Sequence, residues 1–89
     1  MEVMVEKLDE KKLQALGVMQ WPIWEKEASS FDWYYDEKES CYFLEGEVEV
    51  ELPKGERIKI QKGDYVTFPQ GLRCKWHIKK KVRKHYNFG

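Results

Sequence analysis

The stretch Glu47-Val48-Glu49-Val50-Glu51-Leu52 alternates charge and apolar bulk without a break. Successive strand side chains point to opposite faces, so this pattern suits a half-buried β-strand with its valines inward and its glutamates in water. The period of two runs from Phe31 onward, through Phe31–Tyr35, Ser40–Leu44, Arg57–Ile60, Tyr65–Phe68, Cys74–Ile78 and Val82–Phe88. Turn residues recur between these runs: Pro53-Lys54-Gly55, Gly63-Asp64 and Pro69-Gln70-Gly71. Together they predict about seven or eight short strands joined by hairpins, an all-β sandwich or barrel.

The residues ahead of the sheet read differently. Met1 to Glu6 alternates and predicts a short edge strand. Asp9 stands as a helix N-cap before Glu10–Leu16, good helix formers that end at Gly17, with Leu13 and Leu16 as the expected buried stripe. Trp21-Pro22-Ile23-Trp24 is an apolar plug, kept out of a helix interior by Pro22 and expected to lay both indoles over an open end of the core. With 89 residues, and neither repeat nor linker, the chain reads as one domain, 1–89. A domain of this size has a thin core.

Charge and cysteine content narrow the class. The net charge is zero, yet all 16 acids lie at or before Asp64, while seven bases and no acid follow. A basic tail of that kind either meets an anionic partner or neutralises a Glu-rich strand within the fold. Without a net positive domain charge or a nucleic-acid motif, internal neutralisation is the stronger reading, and neither nucleic acid nor a membrane is expected as a partner. The longest apolar run, Cys41-Tyr42-Phe43-Leu44, is far short of the roughly 20 residues that a membrane span needs. Met1–Asp9 does not read as a signal peptide, so a cytoplasmic setting is expected, with Cys41 and Cys74 reduced.

Two spacings carry a family resemblance. Glu39 precedes Gly46 with six residues between them, and Gly63, Pro69 and Gly71 follow as G-x5-P-x-G. These resemble the end of the first motif and the start of the second motif of the cupin superfamily. Trp21-Pro22, Trp33, Cys41-Tyr42, Phe68–Leu72, Trp76 and Lys84-His85-Tyr86 add a likeness to the small stand-alone cupins grouped with the cupin part of (S)-ureidoglycine aminohydrolase. The resemblance spans Gly17–Phe88 and implies a small cupin-type β-barrel, or jelly roll, with a short N-terminal helix.

Cupin metal centres use three histidines and a glutamate. Here the histidine positions of the first motif hold Trp33 and Tyr35, or Asp32 and Tyr34 at the longer spacing. That of the second holds Cys74, and Ile78 stands for its asparagine. Only Glu39 remains. His77 lies an odd number of residues from Cys74 and so faces away from it. No cofactor is therefore expected; a divalent metal such as Zn2+, if held, would use Glu39, Cys74 and Tyr35.

Carried over from the family, Glu39 and Cys74 are the candidate catalytic residues, pointing into the barrel mouth. Trp33, Tyr35, Cys41 and Trp76 are the candidate ligand-binding residues. Glu39 stands out because a buried carboxylate is costly without a partner, whereas cysteine packs readily as a small apolar group. One conflict needs resolving: Val48 and Val50 have the opposite parity to Glu39. A bulge or corner at Gly46 that flips the register would let all three face inward. Lys84-His85-Tyr86 places an alternate pair in the pocket or merely closes the sheet.

The function expected is a small cupin-fold protein that binds a small polar metabolite in its barrel, with a degenerate metal site. The alternatives are a metal-dependent hydrolase or isomerase similar to (S)-ureidoglycine aminohydrolase, and a non-catalytic structural or interaction protein. The resemblance also implies a homodimer.

Overall fold

A computed structural model describes residues 2–89. The strands are β1 (Met4–Glu6), β2 (Ile23–Lys26), β3 (Ser29–Tyr34), β4 (Glu39–Glu51), β5 (Arg57–Gln61), β6 (Tyr65–Phe68) and β7 (Arg73–Phe88). One helix, α1 (Glu10–Leu16), precedes a single 3-10 turn at Val18–Gln20. All pairings are antiparallel. The fold is mostly β with one short helix, as the alternation predicts.

Two long strands organise everything else. The first half of β4 pairs with β6 on one side and with the second half of β7 on the other. Its second half pairs with β5 and with the first half of β7. Strand β2 adds to the second half of β7, and β3 to the first half. β4 and β7 therefore pass together from one layer, β1-β6-β4-β7-β2, into the other, β5-β4-β7-β3. The sequence breaks them into four pieces, because the alternation lapses at Glu45-Gly46 and at Lys79-Lys80-Lys81. In the fold those residues form the corner where both strands bend, their charged side chains in water.

The corner depends on Gly46. The β4–β7 register shifts between Phe43 and Val48, and the inward parity of β4 changes across it. Glu39, Cys41 and Phe43 are buried before Gly46, and Val48 and Val50 after it. Gly46 has φ +113°, and a Cβ there would lie 2.8 Å from both the Lys81 carbonyl oxygen and Val82 Cα. Only glycine allows both the backbone conformation and the close crossing. The parity conflict of the sequence is thus resolved by a flip at Gly46.

Apolar residues from both layers fill the interior, including Phe43, Val48, Val50, Ile60, Val66 and Phe68. A second cluster, Leu13, Val18 and Tyr65 with Trp21 against it, lies beneath α1. The Asp9 side chain caps α1 by accepting from the Lys12 amide at 2.8 Å, and Gly17 ends it at φ +72°. The expected stripe is half right. Leu13 is buried, whereas Leu16 is 39% exposed because the chain turns at Gly17 and Val18 takes the inward place.

The apolar plug also differs from expectation. Ile23–Lys26 is a strand, which sends its two indoles apart: Trp21 tilts against Tyr65 under the helix, and Trp24 packs edge-on to Trp76. The charge asymmetry resolves as neutralisation across the sheet. Glu45 pairs with Arg83 at 3.3 Å, Glu47 with Lys80 at 3.7 Å and Glu49 with Lys79 at 3.9 Å. These pairs are partly or fully in solvent, so each is worth about 0–1 kcal/mol.

Candidate functional site

A cavity of about 200 Å³ opens between β2, β3, β7 and the start of β4. Its walls are aromatic. Phe31 and Trp33 come from β3 and Tyr35 follows it, all on one face by their parity, while β2 supplies Trp24 and β7 supplies Trp76, Tyr86 and Phe88. Phe31 stacks on Trp76 at 6.0 Å between centroids, and Tyr35 on Phe68 at 4.7 Å.

Two charged groups line this apolar cavity. Glu39 and Lys84 form an ion pair at 3.1 Å, with side chains 6% and 5% exposed. The ammonium also donates to Cys41 Sγ at 3.3 Å and lies 5.1 Å and 5.0 Å from the ring centroids of Trp24 and Trp76. Rings of this kind attract a cation through their negative faces. Lys84 is thus held by a carboxylate, a thiol and aromatic faces.

Of the sequence candidates, Glu39, Trp33, Tyr35 and Trp76 line the cavity together. Trp33 stands at its rim, 45% exposed. Cys41 is wholly buried behind it, in contact with Lys84. Cys74 is buried one step away, lining a shallower recess with Asp32, Trp33, Tyr34 and Arg73. Lys84, which the sequence offered with Tyr86 as an alternate pair that either enters the pocket or closes the sheet, is the residue not singled out as a candidate. Its signal was parity: Cys74, Trp76, Ile78, Val82 and Lys84 are the buried even positions of β7, so extending the alternation to Lys84 puts an amine inside.

The interior suppresses other charges. Burial pushes the Cys41 thiol up to about 12, with Lys84 nearby opposing the shift and Glu39 reinforcing it. Burial likewise raises Cys74 to about 11, opposed by the neighbouring Trp76 indole and reinforced by Glu39. The Tyr35 hydroxyl is raised well beyond the usual phenol range, first by burial and then by the nearby Glu39, Cys41 and Cys74. Both thiols and the phenol are therefore neutral near pH 7. The Trp76 indole N–H is buried without a hydrogen-bond partner, the one such side-chain atom among the described residues.

Both histidines lie outside this constellation. His77 is on the other face of β7, where Nε2 donates to Glu51 at 3.0 Å and Nδ1 accepts from the Ser30 hydroxyl at 3.0 Å. His85 donates from Nδ1 to the Trp21 carbonyl at 2.8 Å. Among the described residues, no three His, Cys, Asp or Glu side chains converge in a way that would hold a metal ion. Beside Glu39 the barrel already holds a cation of its own, the Lys84 ammonium. Glu39, Cys74 and Tyr35 make a poor shell for a divalent ion, since the thiol and phenol would both have to lose protons that burial holds on. The residues present do not fit the cupin metal.

Comparison with known proteins agrees with this fold. The chain is similar to a DUF861 family protein of Thermotoga maritima, with 58% identity, a TM-score of 0.97, and coverage of 99% of this chain and 100% of that one. It is also similar to the EutQ protein of Clostridium difficile, at 20% identity and a TM-score of 0.68, over 74% of this chain and 52% of that one. The chain thus spans about half the length of that EutQ protein. An RmlC-like cupin of Shewanella frigidimarina matches at 14% identity with a TM-score of 0.56, over 74% of this chain and 64% of that one. The last two likenesses concern the fold alone. No curated protein matches the chain. The family model described as the EutQ-like cupin domain matches residues 13–86, nearly the whole folded unit, and the chain belongs to that family.

Proposed function

We propose that this cupin binds a small molecule with an apolar body and one polar head, seated between the aromatic walls with its head on the Lys84–Glu39 pair. The observation that carries this reading is the position of the pair. Two oppositely charged side chains, 6% and 5% exposed, line an open cavity instead of being sealed into the core. Burying such a pair costs several kcal/mol per ion, and apolar residues of similar volume often serve stability as well or better. A binding site gains from it, because a polar ligand group meets a donor and an acceptor already in place.

The cavity sets the size. At about 30 Å³ per water-sized group, about 200 Å³ takes roughly six or seven non-hydrogen atoms. The aromatic walls favour a ligand less polar than the small polar metabolite expected from sequence. A metal-dependent hydrolysis similar to that of (S)-ureidoglycine aminohydrolase finds no support in this donor set.

Thermal unfolding with butanoate, butanamide and butan-2-one tests the reading. A ligand at 100 times its Kd adds about 2.7 kcal/mol. Each kcal/mol is worth about 4–8 °C in a domain of this size. At least one head group should raise Tm, and the rise should vanish in Glu39→Leu/Lys84→Met. No rise with any of the three, or a rise that persists in the double variant, overturns the reading.

A further inference from the structure

We propose that Lys84 is a covalent site for small aldehydes or ketones, which it captures as an imine with Glu39 as its proton carrier. This rests on the pocket reading and names the ligand class. Among the sixteen lysines and arginines, Lys84 is the only one found buried in the described residues. Its amine lines a cavity open to small molecules, and a carboxylate oxygen lies 3.1 Å away. Lysines in desolvated pockets are the ones that form Schiff bases with carbonyl substrates.

The arrangement supplies each requirement of that reaction. Glu39 Oε2 takes a proton from the Lys84 ammonium across the existing hydrogen bond. The freed amine nitrogen bonds to the carbonyl carbon, giving a carbinolamine, and Glu39 passes its proton to the oxygen. Glu39 then carries a second proton from the carbinolamine nitrogen to that oxygen, the C–O bond breaks, and water leaves, so that a protonated imine stands on Lys84 and the carboxylate is restored on Glu39. One carbonyl compound and one ammonium thus yield one iminium and one water, with no oxidant or reductant. The cation formed sits where the ammonium sat, facing the rings of Trp24 and Trp76.

Competing nucleophiles are held back. Cys41 lies 3.3 Å from the amine, but it is wholly buried, and its thiol is kept protonated. Cys74 is also kept protonated by burial. Attack on a carbonyl in this cavity therefore falls to nitrogen rather than sulfur.

Borohydride trapping decides the matter. The folded protein is incubated with butan-2-one at pH 7, reduced with sodium borohydride, and analysed by intact mass and peptide mapping. The expected result is a single reduced adduct per chain, mapped to Lys84, with the surface lysines at background. The adduct is lost in Lys84→Arg and forms more slowly in Glu39→Gln, both checked for folding by circular dichroism. Adducts spread over surface lysines, or none at Lys84, overturn the proposal; the wild-type peptide map alone gives that answer if either variant fails to fold. Thermal unfolding with butan-2-one but no borohydride separates the two readings. A rise in Tm without an adduct refutes the imine and keeps the pocket. Absence of both, with no rise from butanoate or butanamide either, refutes the pocket as well.

Discussion

Replacing the Lys84–Glu39 pair with apolar side chains of similar length separates its contribution to stability from its function. In Lys84→Met the thioether keeps the stem packing against Trp24 and Trp76 but leaves Glu39, 6% exposed, without its one charged partner among the described residues. Breaking a buried pair in this way costs about 3–5 kcal/mol, because the remaining charge is uncompensated. Glu39→Leu should cost less than Lys84→Met, since the ammonium retains Cys41 Sγ at 3.3 Å and two aromatic faces. A domain of 89 residues has about 4–13 kcal/mol in total, so either single change removes a large share. The double variant Glu39→Leu/Lys84→Met leaves no charge behind and should return to within about 1 kcal/mol of the wild type, or exceed it. The assay is urea unfolding at pH 7 followed by tryptophan fluorescence. A coupling energy of at least about 3 kcal/mol is expected. Near-neutral single variants, or a double variant whose loss is the sum of the two, would mean that the pair is solvated and the interior argument is wrong.

Two more outcomes follow from other parts of the fold. Gly46→Ala and Gly55→Ala both force a side chain onto positive φ, at a cost of about 1–3 kcal/mol. Only Gly46 also meets backbone of β7 at 2.8 Å, whereas nothing lies within 4 Å of Gly55. Gly46→Ala should therefore be worse by about 1–3 kcal/mol in urea unfolding, and equal losses would show that the corner is not tight. Cys41 and Cys74, raised by burial from the usual 9.0 to about 12 and about 11, should resist iodoacetamide at pH 8 in the native state and react on unfolding. Because these folded values lie above the unfolded ones, the thiols' contribution is complete below about pH 9 and is lost as pH rises through 11 to 12. Native thiols that react as fast as free cysteine, or a stability that rises with pH from 9 to 11, would contradict the burial described.

Much of the fold could be read locally. Asp9 and Gly17 mark the ends of α1 through short-range capping, and strict alternation fixes which side of Glu47–Glu51 is buried. The parity clash between Glu39 and Val48 even pointed to the flip at Gly46. Long-range partners were harder to see. The group that meets Glu39 lies 45 residues away, in a stretch of bases that reads as neutralising a Glu-rich strand. Three of those bases, Lys79, Lys80 and Lys81, are exposed at the corner, which hid that Cys74–Ile78 and Val82–Phe88 are one continuous strand with Lys84 on the inward face of its second half. The separation of Trp21 from Trp24 was illegible for a related reason. It depends on β2 pairing with residues 82–85, and nothing near Pro22 encodes that partner.

The central place of β7 also governs the order in which the molecule can assemble. Among the described residues β2 and β3 have no strand partner except β7, although 38 residues lie between β3 and the first residue of β7, and more between β2 and that residue. During synthesis, therefore, Ile23, Trp24, Phe31 and Trp33 emerge with nothing to pair against, while β4 and β5 can already form a local hairpin. Pairings of such sequence separation make folding slow, and unpaired apolar strands are where chains adhere to one another. Chaperone demand should accordingly concentrate on residues 23–34, in the interval before β7 leaves the ribosome.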